Sequence, residues 1–159
     1  MKTFIKIISA GIIFTNYSCS APGEQVAQSE EPVVVTPSGP IISAEQSKAV
    51  IEHHLNAFGM NDIRGIMADY SDESVVVTAD STFTGLASIE AFFTQLLPSF
   101  PTEGTSIELD KFVVKNELVY IIWHGSSPTL NVPFGTDTFI VEDDKIKRQT
   151  FAGVINPAE

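Results

Sequence analysis

Four runs in the last third of the chain constrain its fold most. Ile107 to Val114, Leu118 to Gly125, about Phe134 to Val141 and Ile146 to Ile155 are dense in β-branched and aromatic residues. Side chains of that kind suit a pleated, half-buried surface, so each run is expected to be a strand. Asn116-Glu117 and Asp143-Asp144 fall where tight hairpins belong, because Asn and Asp tolerate the positive φ of such turns. Consecutive strands joined by short turns pair antiparallel.

Upstream the period changes from two to about 3.6 residues. Ser43 followed by Glu45 and Gln46 marks a helix start, and Val50, Ile51, His54, Leu55 and Phe58 then form an amphipathic stripe that Gly59 ends. Asn61 or Asp62 can cap a short second helix carrying Ile63, Ile66 and Met67. Val75 to Thr78 and Thr82 to Thr84 read as short strands, the latter ending at Gly85. A third helix over Leu86 to Leu97 carries Ile89, Phe92, Phe93, Leu96 and Leu97 and stops at Pro98 and Pro101. The expected fold class is α+β: three helices covering one face of a curved antiparallel sheet. The run Val119 to Trp123 is apolar on both faces. One face can cover the helices, and the other is expected to meet a second copy in a homodimer.

The first 42 residues are built differently. Lys2 and Lys6 precede an apolar run from Ile7 to Phe14, broken only by Ser9 and Gly11. That is the pattern of a secretory signal over residues 1–18, and it is far short of the ~20 apolar residues of a membrane-spanning helix. Cys19, the only cysteine, follows Ser18. This junction resembles a bacterial lipoprotein signal, in which the cysteine is acylated and becomes the mature N-terminus; Asn16 and Tyr17 depart from the usual aliphatic-small pair. The alternative is an ordinary cleaved signal with an incidental cysteine. Residues 19–42, rich in Ser, Pro, Glu, Gln and Gly, read as a disordered tether, and 43–159 as the domain. The expected location is therefore periplasmic or at the cell surface.

Charge and cysteine count exclude several classes. The net charge of −11 opposes nucleic-acid binding. Loss of residues 1–18 would leave 7 basic against 20 acidic residues, a net −13. Anionic lipid headgroups repel such a chain, so membrane attachment is expected only through the lipid. One cysteine forms no internal disulfide and no cysteine-rich zinc site. His53 and His54 are adjacent and project apart, and His124 is remote, so no metal is expected. No nucleophile elbow, phosphate loop or dinucleotide fingerprint occurs, and no cofactor is expected.

The order of elements resembles the nuclear transport factor 2-like superfamily, with its SnoaL-like and ketosteroid-isomerase branches. The resemblance is carried by Ala57-Phe58 and Asn61-Asp62, by Asp69-Tyr70-Ser71-Asp72-Glu73-Ser74-Val75, by Phe83-Thr84-Gly85 leading into Ile89 to Phe93, and by Asp143-Asp144-Lys145-Ile146. It spans Ser43 to Asn156. It implies a cone-shaped scaffold with a deep apolar pocket between helices and sheet. That scaffold hosts isomerases, hydrolases, cyclases and binding proteins, so it fixes no activity. The isomerase pattern, carried over, implies His54 at the pocket tyrosine, Thr78 at the catalytic base and Asp137 at the hydrogen-bonding acid. A threonine hydroxyl is no general base for carbon acids, which argues against ketosteroid isomerisation.

The candidate catalytic residues are His54 and Asp137, and the candidate pocket residues are Tyr70, Thr78, Trp123, Arg148 and Gln149. His54 lies on the apolar stripe and can act near neutral pH, or can be a satisfied structural histidine. With Glu142 paired to Lys145, Asp137 stands opposite Thr150 with Arg148 diagonal to it, as a structural ion pair or a pocket group. A bulge in the last strand would instead turn Gln149 and Phe151 inward. The Asp-Arg-Asp set of the epoxide-hydrolase branch finds only Arg64 and Arg148 here and no third acid. The expected function is binding of a small, largely apolar molecule. The alternatives are an isomerase or hydrolase using His54 and Asp137, or a dimerisation module with a filled pocket.

Overall fold

A computed structural model describes residues 42–158 of the chain. The expected signal, nearly all of the tether and Cys19 lie outside the described residues. Three helices, α1 (Ala44–Gly59), α2 (Ile63–Ala68) and α3 (Leu86–Leu96), pack against six strands: β1 (Val75–Val77), β2 (Thr82–Thr84), β3 (Ser106–Lys115), β4 (Leu118–Ser126), β5 (Leu130–Glu142) and β6 (Lys145–Pro157).

Local chemistry sets the boundaries. The Ser43 hydroxyl accepts from the Gln46 N–H while the Gln46 side chain accepts from the Ser43 N–H, a reciprocal cap that starts α1. Asp62 caps α2 through the Arg64 N–H. Beyond α3, a single 3₁₀ turn over Leu97–Ser99 takes in Pro98. The hairpin turns fall at the expected residues, with Asn116, Asp143 and Asp144 all at positive φ.

The strands form one curved, open sheet in the order β2-β1-β6-β5-β4-β3. Four of its five pairings are antiparallel; β1 and β6 are parallel, with Val76 beside Gln149. The sheet is thus mixed. The chain leaves β1 through β2, α3 and the β3–β5 meander before β6 returns beside it, a connection long enough for parallel pairing. β5 begins four residues ahead of the expected Phe134. Its early part contains Pro133, which sits in a bulge between Asn131 and Phe134, where a missing N–H removes no ladder bond.

The core joins Ile51, Ile66, Ile89 and Phe93 of the helices to Val119, Ile121, Phe139, Val141 and Ile146 of the sheet, all buried. Burial of each large apolar side chain stabilises the domain by roughly 1.5–3 kcal/mol. Two bulges decide which side chains face inward. In β6 the pairing jumps from Arg148 with Ile140 to Ile146 with Val141, leaving Lys147 as the extra residue. The second, in β3 at Asp110, lies between Leu109 and Lys111.

Candidate functional site

Between the helices and the concave face lies a cavity of about 270 Å³, near the lower end of ligand pockets, which run about 300–1,000 Å³. Of its eighteen lining residues, only His54, Thr78, Trp123, Asp137 and Gln149 carry polar side-chain atoms. Phe58, Phe92, Phe93, Phe100, Phe139 and Phe151 supply most of the wall. The deep end is closed by the core, while Ile107, Leu109 and Ile155 remain partly exposed along the strands that border it.

Asp137 projects inward from the middle of β5 and is 6% exposed. Its two oxygens each accept one N–H: Gln149 Nε2 donates to Oδ1 at 2.9 Å and Trp123 Nε1 donates to Oδ2 at 2.9 Å. Behind Gln149, the Tyr70 hydroxyl donates to Gln149 Oε1. A continuous chain Tyr70–Gln149–Asp137–Trp123 therefore crosses from the end of α2 through β6 and β5 to β4. Burial pushes the Asp137 carboxyl above the ordinary aspartate range, against the opposing pull of the Gln149 and Trp123 donors and of His54. Burial, and then the charges of Asp137 and Asp69, push the Tyr70 phenol well above its ordinary value, so it remains a donor at neutral pH.

His54, 3% exposed, enters the cavity from α1. Tyr70, Phe93 and Phe139 meet its ring edge-on, with centroids 5.5, 5.7 and 5.9 Å away. Its Nδ1 is buried without a hydrogen-bond partner. The nearest acid is Asp69, whose Oδ2 lies 3.7 Å from that nitrogen, outside hydrogen-bond range. The neighbouring His53 points outward with a 55% exposed side chain, and its Nδ1 meets both Asp69 oxygens, at 2.8 and 3.0 Å.

The structure brings His54, Thr78, Trp123, Asp137 and Gln149 around one cavity and leaves two of the expected residues off its wall. Tyr70 is buried behind Gln149 rather than on the surface of the cavity. Arg148 is a correction: its exposed guanidinium donates to the carbonyls of Glu73 and Lys147. The physical reason is the extra residue at Lys147, which reverses the parity of β6, so Asp137 stands opposite Phe151 instead of Thr150. Asp137 therefore has an amide and an indole as partners and no ion pair with Arg148. Arg64 is also exposed, and no arginine lines the cavity among the described residues. Sequence reasoning missed the Asp69 contacts and the aromatic wall. The stripe of phenylalanines in the third helix was a signal for that wall; for Asp69 only the second-helix cap position pointed inward.

These are the parts of a desolvated recognition site. An acid held above its ordinary range can present a proton to a ligand, and an uncommitted imidazole can accept one. Among the described residues no cluster of three or more His, Cys, Asp or Glu could hold a metal ion.

The SnoaL-like domain family matches residues 51–149, from the core face of α1 to the glutamine that holds Asp137. This chain belongs to the SnoaL-like family. Solved structures agree with this SnoaL-like domain in fold. An NTF2-like protein of unknown function from Mesorhizobium loti superposes with a TM-score of 0.60 at 16% identity, covering 70% of this chain and 93% of the other. A candidate ketosteroid isomerase from Kribbella flavida DSM 17836 has a TM-score of 0.59 at 13% identity, covering 69% and 78%. TerC co-crystallised with polyporic acid has a TM-score of 0.56 at 16% identity, covering 69% and 92%. No curated protein is significantly similar to the chain in sequence.

Proposed function

We propose that this SnoaL-like domain binds a small, largely apolar molecule in the cavity between its helices and its sheet. The observation that carries the reading is the contrast inside the cavity. Its wall is mostly aromatic and aliphatic, yet Asp137, held by Gln149 and Trp123, and His54 are both on it. Apolar surface supplies affinity, and a few convergent polar groups fix orientation. An open cavity favours binding over a dimerisation module with a filled pocket. The named neighbours give further support: one is a candidate ketosteroid isomerase, and another was crystallised with polyporic acid. Native mass spectrometry of the purified full chain tests the reading. The expected result is an adduct of one fixed small mass, lost in Thr78→Phe, whose ring would occupy the space. A bare chain that also takes up no added aromatic ligand overturns it.

The pairing of His54 and Asp137 on one cavity favours a second reading, in which proton transfer follows binding. Thr78 supplies no base, so His54 would take the proton and Asp137 would donate to the developing oxyanion. Deuterium incorporation next to the carbonyl of an apolar ketone such as α-tetralone in D₂O measures this. Acceleration that disappears in His54→Gln supports the reading, and incorporation at the buffer rate in the wild type ends it.

The wider setting is also proposed. The leader of residues 1–18 exports the chain, Cys19 carries the lipid, and the outward face of the sheet pairs two copies. Cys19→Ser should release the protein from membranes, and unchanged fractionation contradicts the anchor. A monomer in sedimentation contradicts the dimer.

A further inference from the structure

His54 has no hydrogen bond on Nδ1 and no tautomer assigned by the cavity itself. What surrounds it restricts the choice. Three aromatic rings meet the imidazole, so they offer Nδ1 no acceptor oxygen of comparable strength. The titratable groups facing the ring are Asp69 and Tyr70, from the end of α2 and the residue after it, and Asp137 across the sheet. Of these, Asp69 lies opposite Nδ1, at 3.7 Å.

Asp69 is itself 6% exposed and is shared. His53 Nδ1 reaches both of its oxygens, and an ionised carboxylate only accepts, so His53 Nδ1 carries the proton there. The carboxylate that results turns lone pairs towards His54 Nδ1. A bare nitrogen in that place would set lone pair against lone pair in a low-dielectric interior. A protonated one is attracted instead. Nδ1 is sealed from solvent, so the ring reaches the cavity by its opposite edge, the one that bears Nε2.

The geometry points to Asp69 as the positioning residue of His54: it keeps Nδ1 protonated and leaves the Nε2 lone pair turned to the cavity as its proton acceptor. The inference rests on the pocket reading above for its use, though not for its geometry. It supplies what Thr78 cannot, a base opposite Asp137. When a bound molecule gives up a proton, Nε2 gains it. The ligand is left as its conjugate base, and the Asp69 carboxylate balances the new imidazolium charge. His53 acts from outside the cavity, by holding the carboxylate in place.

Side-chain ¹⁵N–¹H correlation spectra of the ¹⁵N-labelled full chain, recorded without ligand where the histidines are neutral, test the assignment. His54 in the wild type is expected to show the Nδ1–H tautomer in roughly tenfold excess, as a carboxylate facing that nitrogen in a low-dielectric interior would impose. In Asp69→Asn the amide oxygen stays with His53 and the amide N–H faces His54, so the tautomer should invert to Nε2–H. His53→Gln should keep Nδ1–H, because the carboxylate remains. A wild type protonated at Nε2 overturns the inference, and that measurement requires no variant to fold. An unchanged tautomer in a folded Asp69→Asn also overturns it. Failure of the wild type to bind 1-naphthol would strike the pocket reading and leave the tautomer result standing.

Discussion

Gly135→Ala separates this structure from general backbone expectation by the sign of its effect. Gly135 lies in β5, buried, and its φ is not in the positive region. Glycine within a strand ordinarily costs about 0.5–1 kcal/mol relative to alanine, so the generic prediction is stabilisation. The geometry says otherwise. A Cβ on Gly135 would lie 2.5 Å from Trp123 Cε2, 2.7 Å from Cζ2 and 2.9 Å from Cδ2. Carbon contacts settle near 3.5–4.0 Å, so the indole must move by about 1 Å. It cannot tilt freely, because Phe151 lies along it with ring planes 27° apart.

That movement takes Trp123 Nε1 from 2.9 Å to beyond the range of a hydrogen bond with Asp137. Overpacking costs about 1–3 kcal/mol, and a buried hydrogen bond left unmade about 1–3, giving roughly 4 kcal/mol in all at mid-range. For a domain of this size the melting temperature should fall by roughly 10–20 °C. Trp123 is the only tryptophan, so its emission reports the displacement directly, with a shift of the maximum at 20 °C in the folded protein. Emission unchanged and a melting point equal to or above the wild type would refute the reasoning about Trp123 and Asp137.

Other outcomes follow from the same network. Asp137→Asn removes a carboxyl whose folded value is raised. The wild type should therefore be best placed relative to the variant below the ordinary aspartate range and should lose ground as pH rises through the folded value. Chemical denaturation across pH 3–8 checks this, and a wild-type advantage that grows with pH contradicts it. Tyr70→Phe leaves Gln149 Oε1 without its donor and should cost about 1–3 kcal/mol in urea unfolding. Ser43→Ala removes the hydroxyl that accepts from the Gln46 N–H, leaving the Ser43 N–H bonded to the Gln46 side chain, and should cost about 1 kcal/mol, with ligand binding unaffected.

The fold was largely readable because its signals are local. Caps at Ser43 and Asp62, the stripe Ile51-His54-Phe58 and the positive-φ residues Asn116, Asp143 and Asp144 at the hairpins each need only a few neighbouring residues. The parallel pairing of β1 with β6 joins residues over seventy positions apart, and no local period reports it. The site was readable in its inward residues on α1, β4 and β5, because Ile121, Trp123, Asp137 and Phe139 lie in the regular stretch of the β4–β5 pairing. On β6 the sequence left two parities open, with Arg148 or Gln149 inward, and one extra residue, Lys147, decides for Gln149. A bulge leaves no mark in hydrophobic alternation when polar residues stand on both sides of it. Asp69 escaped because its role depends on a turn that brings the end of α2 against the middle of α1, and a lone acid after a short helix has many ordinary uses.

The central claim is that the cavity accepts one small apolar molecule beside Asp137 and His54. Titration of the full chain with 1-naphthol, followed by Trp123 emission, tests it most directly, because the indole lines the cavity and holds the acid. Saturable quenching at one equivalent per chain, abolished in Thr78→Phe, is the predicted result. Quenching that rises without limit and is the same in both proteins would contradict it.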